Sequence, residues 1–151
     1  MSYINKPYKV KNKLVRNLEI NNETGFLDLS VFSAIDQSPI ESAEVTVYLY
    51  EIRGIYQESA VENKIISYTT DSNGKIPTVE LPVIHELGEV NLSEYHVRVD
   101  KPGYYSTAVI NIEIFPNTTT AFNVVLNPVT TGESRTEFII IPEKHWFKLG
   151  Y

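Results

Sequence analysis

Three histidines, His85, His96 and His145, are the side chains best suited to moving protons near neutral pH. They lie far apart in the chain, and their spacing fits no zinc pattern. His85 stands beside Glu86 and Glu89, and these acids with Glu94 have the types that a sugar hydrolase pairs. Set in a polar stretch, they read as solvated charges. Asp71-Ser72-Asn73-Gly74 opens like a calcium loop, but the later ligands and the distant Glu are missing, so it reads as a tight turn. No G-x-S-x-G and no Gly-rich phosphate loop occurs, and the absence of cysteine removes thiol nucleophiles, thiolate metal sites and disulfides. The residues call for no reaction, no metal and no cofactor.

Contact chemistry is better represented. Among ten tyrosines, Tyr48 and Tyr50 are one residue apart and share a face if the segment is a strand. Such a pair of rings can stack on sugars, as in peptidoglycan, or line a contact between subunits. The spacing leaves both open.

Around these residues, Val, Ile, Leu, Tyr and Thr dominate a chain of 151 residues that is 42% apolar, which suits one β-rich domain. Period-two alternation starts at Gly25, where Leu27, Leu29 and Val31 share a face. It recurs at Val45, Val47 and Leu49, then at KIISYTT after a loop RGIYQESAVEN. A hairpin or tight turn is expected at DSNG, and Pro77 and Pro82 bracket TVEL as an edge strand. HELGEVNLSE reads as a loop. Tyr95, Val97 and Val99 face inward, Ala108, Ile110, Ile112 and Ile114 are expected on one face, and Phe122, Val124 and Leu126 line the last strand of the body. Short strands at this spacing predict a two-sheet sandwich.

The order GFLDLSVFSA, SPIESAEVTVY, TTDSNGKIPTVELP, YHVRVDKPGYYS, IFPNTTTAFNVVLNP resembles the carboxypeptidase regulatory-like, or transthyretin-like, modules of bacterial surface and spore proteins. The matching positions are Pro39, Ile40, Ala43 and Val45, then Thr70, Asp71 and Gly74, then Val99, Gly103 and Tyr104. The run through IFPNTTT is similar to the module appended to spore cortex-lytic enzymes. The resemblance implies an all-β, immunoglobulin-like (transthyretin/prealbumin-like) sandwich of about seven strands at 25–128, and an accessory or structural role without catalytic residues. The transthyretin-like hydrolases of purine breakdown need strand histidines and a C-terminal tyrosine motif that this sequence lacks.

Two extensions flank that body. The arm, 1–24, carries Lys6, Lys9, Lys11, Lys13 and Arg16, whereas from Asn21 to Pro128 five basic against fifteen acidic residues leave −10. Without Arg clusters or a nucleic-acid module, the arm is expected to settle on an acidic domain, its own or a neighbour's, and not on nucleic acid. No stretch is long and apolar enough to insert in a membrane, and no apolar run follows the N-terminal lysines as in a signal peptide.

The C-terminal extension, 129–151, ends in TEFIIIPEKHWFKLGY. Phe138 and Ile140 fall on one side of an expected eighth strand and Ile139 and Ile141 on the other, so cover is expected on both. Burying these side chains only about offsets the ordering of the segment. The strand therefore needs a waiting sheet edge, on its own chain or on a neighbour's. Together with Trp146 and Phe147, it predicts a non-enzymatic structural protein that self-associates into an oligomer or filament. The expected location is a cell or spore surface reached by mother-cell lysis, or else the cytoplasm or a phage particle. A peptidoglycan-binding accessory module is the alternative.

Overall fold

The computed structural model describes residues 23–53, 59–84, 92–130, 132 and 134–141, and over them the chain is built from strands without a helix. In chain order these are β1 (Thr24–Ser33), β2 (Glu44–Arg53), β3 (Ser59–Thr69), β4 (Val79–Pro82), β5 (Leu92–Asp100), β6 (Ser106–Ile112), β7 (Thr119–Leu126) and β8 (Thr136–Ile140). They form two sheets, β4-β1-β7 and β3-β2-β5-β6-β8, packed as an all-β sandwich. β1 runs parallel to β7 and antiparallel to β4. In the larger sheet all pairs are antiparallel except β6 with β8.

The core follows from the alternation. Leu27, Leu29 and Val31 of β1, Val45, Val47 and Leu49 of β2, and Tyr95, Val97 and Val99 of β5 are all buried, with Val124 and Leu126 of β7 closing the layer. Phe122 is only half-buried at the rim of this cluster. Tyr95 joins the sheets, since its hydroxyl donates to the Pro82 carbonyl at 2.6 Å. Burial pushes the phenol well above its ordinary range by penalising the charged form.

The DSNG segment is a turn, although it links β3 of the larger sheet to β4 of the smaller and so is not a hairpin. Asp71 Oδ1 accepts from the Asn73 and Lys75 amides at 2.8 and 3.0 Å, which occupies the carboxylate locally. Gly74 has φ +75°, and a Cβ there would run into the Val31 carbonyl. Glycine is required twice over at that position.

Besides β5, which takes Leu92, Ser93 and Glu94 from the expected loop HELGEVNLSE, two sequence expectations are corrected. β3 begins at Ser59, so SAVEN belongs to the strand and not to the preceding loop. These residues pair with the far end of β2, but Ala60, Val61 and Glu62 are exposed at a sheet edge and carry no inward alternation to read. The second correction concerns β6. Thr107 and Val109 face the core with Ile112 and Ile114, while Ala108 and Ile110 lie on the outer face. The cause is one extra residue: Tyr95 pairs with Ile112 but Val97 with Val109, and Asn111 takes φ +63°. Such a bulge shifts the pleat by one position, so the side chains beyond it change faces.

Candidate functional site

Two strips of the larger sheet's outer face hold the residues singled out by sequence. The first lies on β2 and β5. Tyr48 and Tyr50 both point outward and are half-buried, and Tyr48 sits across from His96 in the β2–β5 register. Tyr50 is the diagonal neighbour, and its ring stacks on the His96 imidazole with centroids 4.6 Å apart and planes at 15°. The His96 side chain is 14% exposed, with Nε2 at 3.0 Å from Glu94 Oε1 and Nδ1 at 4.0 Å from Glu62 Oε2. One face of Tyr50 is thus already occupied. Among the described residues no cluster of three or more metal-type ligands forms.

The second strip is the tail strand. β8 lies on its own chain's β6, with Ser106 to Ile110 paired in step with Thr136 to Ile140. Side chains outside the ladder hold it in that register. The bulge residue Asn111 donates from Nδ2 to the Ile141 carbonyl at 2.6 Å, and the Ile141 amide donates to the Ile110 carbonyl at 3.2 Å. Glu137 accepts from Asn127 Nδ2 at 2.7 Å and pairs with Arg135 at 3.2 Å. The Arg135 guanidinium stands 4.2 Å over the ring of buried Tyr105. Upstream, the Val129 amide donates to the Gly103 carbonyl, which fastens the start of the linker to the KPGYY turn.

Cover on both faces of this strand, as its sequence leads one to expect, is not found. Phe138 and Ile140 are 65% and 67% exposed on the outer face, and Ile139 on the core side is still 38% exposed. Of the described tail residues only Ile141 packs against the core cluster. The reason is architectural: a five-stranded layer on a three-stranded one carries β8 past the end of its partner sheet. Phe138 and Ile140 continue an outer strip begun by half-buried Ala108 and Ile110, their ladder partners on β6.

The ladder on the far side of β8 is also open among the described residues. Because Ile141 turns its amide to β6, alternate positions turn their backbone groups away in a parallel strand, which leaves Thr136, Phe138 and Ile140 facing the edge. β8 therefore presents unpaired hydrogen-bonding groups and two large apolar side chains together.

The basic residues Lys6, Lys9, Lys11, Lys13 and Arg16, the aromatic residues Trp146 and Phe147, and His85 and His145 lie outside the described residues. Sequence reasoning missed Asn111, Asn127, Arg135 and Tyr105, the anchors of the tail. Asn111 alone left a signal, a residue tolerant of positive φ set between two isoleucines.

No family model matches the chain, and no curated protein sequence matches it. Solved structures overlap it only loosely. A catechol 1,2-dioxygenase from Acinetobacter is similar over 79% of this chain and 59% of its own, with 15% identity and a TM-score of 0.49. The C-terminal domain of a shaft pilin from Lactobacillus rhamnosus GG covers 70% of this chain and 98% of its own, at 10% identity and 0.43. The pilus 2b backbone protein of group B streptococcus covers 70% and 42%, at 17% identity and 0.42. This chain thus spans about three fifths of the dioxygenase's length. Overlaps of this size carry no function to it.

Proposed function

We propose that this protein is a non-enzymatic structural module that self-assembles, through its tail strand and its basic arm, into a filament or appendage at a cell or spore surface. One observation carries the reading: a sheet ends in a strand whose outer side chains, Phe138 and Ile140, are about two-thirds exposed beside a ladder left unpaired among the described residues. Exposed apolar edges of this kind are costly for a protein that stays alone, because they template association. The surface location and membership among the carboxypeptidase regulatory-like modules rest on the motif residues Pro39, Ile40, Ala43, Thr70, Asp71 and Gly74.

Electron microscopy and solution mass of the full chain at rising concentration test the reading. Polymers or higher oligomers that vanish in a Phe138→Ser/Ile140→Ser variant are the expected result. A monomer at every concentration overturns it.

The peptidoglycan reading has its own observation in the outward pair Tyr48 and Tyr50. Binding of monomer to purified peptidoglycan that is lost in Tyr48→Ala/Tyr50→Ala favours that alternative. The stacking of His96 on Tyr50 weighs against it, since a sugar would have to use the ring face that remains.

A further inference from the structure

The four sheet edges differ in how they meet a neighbouring strand. β3 shows Glu62 and Lys64 to solvent, and its register breaks at a bulge opposite Val47 and Tyr48. β4 is four residues long, ends on Pro82 and exposes Glu80. β7 exposes only Thr119, Ala121 and Asn123, and segments flanking and following β6 are tied to its ends, with Thr120 Oγ1 donating to the Glu113 carbonyl at 2.9 Å and the Tyr105 amide to the Asn127 carbonyl at 2.9 Å. Charge, proline, a bulge and local cover are the means by which edges are kept from pairing. Among the described residues β8 has no proline, no bulge and no local cover. Its one charged residue, Glu137, is engaged by Arg135 and Asn127 of the same chain.

Resting on the self-assembly reading above, we propose that the partner of this edge is β8 of a second copy, paired antiparallel about a two-fold axis at Ile139, so that two larger sheets become one continuous sheet. Charge decides the occupant. A chain of net charge −6 repels its copies over most surfaces, and self-pairing requires a strip that brings no like charges together. Thr136, Phe138 and Ile140, which face the edge, are uncharged, and among the described edges only β8 joins an uncharged edge-facing row to large exposed apolar side chains, since uncharged β7 exposes only Thr119, Ala121 and Asn123.

Chemistry also fixes the register. With the axis at Ile139, Phe138 of each copy lies across from Ile140 of the other, in the positions whose amides and carbonyls face outward. Placing the axis at Phe138 would set Ile140 against Thr136 and waste apolar area. An antiparallel dimer also sets both outer faces on the same side, so the strips formed by Ala108, Ile110, Phe138 and Ile140 of the two copies merge. A two-fold contact closes on itself, so a filament needs a second surface besides this one.

The chain contains no cysteine, which makes single-cysteine variants clean reporters. Residues facing each other at a non-hydrogen-bonded antiparallel pair have Cα atoms about 4.5 Å apart, within disulfide range. With a thiol oxidant added, Ile139→Cys is expected to give a covalent dimer and Glu137→Cys none. A mixture of Phe138→Cys and Ile140→Cys chains gives the mixed dimer, which keeps the test independent of any disturbance at position 139. Assembly by mass without these dimers overturns the two-fold edge and leaves self-assembly standing. Dominant cross-linking between separate Val109→Cys and Ile139→Cys chains also overturns it, because that product means β8 has moved onto a neighbour's β6. A chain that neither cross-links nor assembles overturns both readings.

Discussion

Two strips of one sheet face, a few strands apart, are built to different ends. On β2 and β5, Tyr50 lies on His96 and His96 lies between Glu62 and Glu94, so each ring has partners within the chain. On β8, Phe138 and Ile140 are exposed while the backbone and flanking polar groups of the same strand are tightly held by Asn111, Asn127 and Arg135. The first strip is a satisfied surface. The second is anchored along β6 and, among the described residues, unpaired along its other side, which favours recognition between molecules because an anchored strand has less ordering left to oppose binding.

The hold of β6 on the tail is broken most readily at Asn111. Asn111→Ala is expected to cost about 2–3 kcal/mol, combining a hydrogen bond with a left-handed backbone that alanine resists. Asn111→Gly keeps the backbone permissive and should lose only about 1 kcal/mol. Denaturant melts measure both, and faster amide exchange at Ile139 and Ile141 shows whether the loss is in the tail. Equal costs for the two variants would mean that the bulge carries no strain.

Tyr95 tests the body against which the tail is displayed. Its phenol is raised by burial, so the folded state holds the proton more tightly than the unfolded chain does. That stability is complete below the unfolded tyrosine value of about 10 and is lost as pH rises above it. Tyr95→Phe should flatten the alkaline part of the stability profile while costing about 1–2 kcal/mol near neutrality for the orphaned Pro82 carbonyl. Thr107 works in the opposite direction. Its buried hydroxyl has no hydrogen-bond partner among the described residues, so Thr107→Val is expected to stabilise by about 1 kcal/mol in the same melts.

The smallest stability effects sharpen the contrast between the strips. Tyr50→Ala should cost about 1 kcal/mol through the lost stack, whereas Phe138→Ala should stay within about 0.5 kcal/mol while weakening association. A Phe138 cost as large as that of Tyr50 would mean that the tail ring is packed within its own chain.

The sandwich was largely legible because its evidence is local. Leu27, Leu29 and Val31, or Tyr95, Val97 and Val99, alternate in a way that only a half-buried strand satisfies, and Pro77 and Pro82 mark an edge without reference to any partner. Tyr48 and Tyr50 likewise declare a shared face. The inversion within β6 was not legible, since alternation runs unbroken through Ala108, Ile110, Ile112 and Ile114 and only a bulge divides them. Nor was the fate of β8, for TEFII states that it needs an edge but not which one.

By itself, then, the sequence determined the strands, their inward faces, the turn at Gly74 and the apolar character of the tail, because period-two burial and backbone sterics act over a few residues. Tertiary structure alone decided that Asn111 holds the tail, that β8 takes the β6 edge of its own chain, and that Phe138 and Ile140 remain open. Those outcomes depend on how many strands each layer contains and on which groups meet across the fold, and no local pattern encodes either.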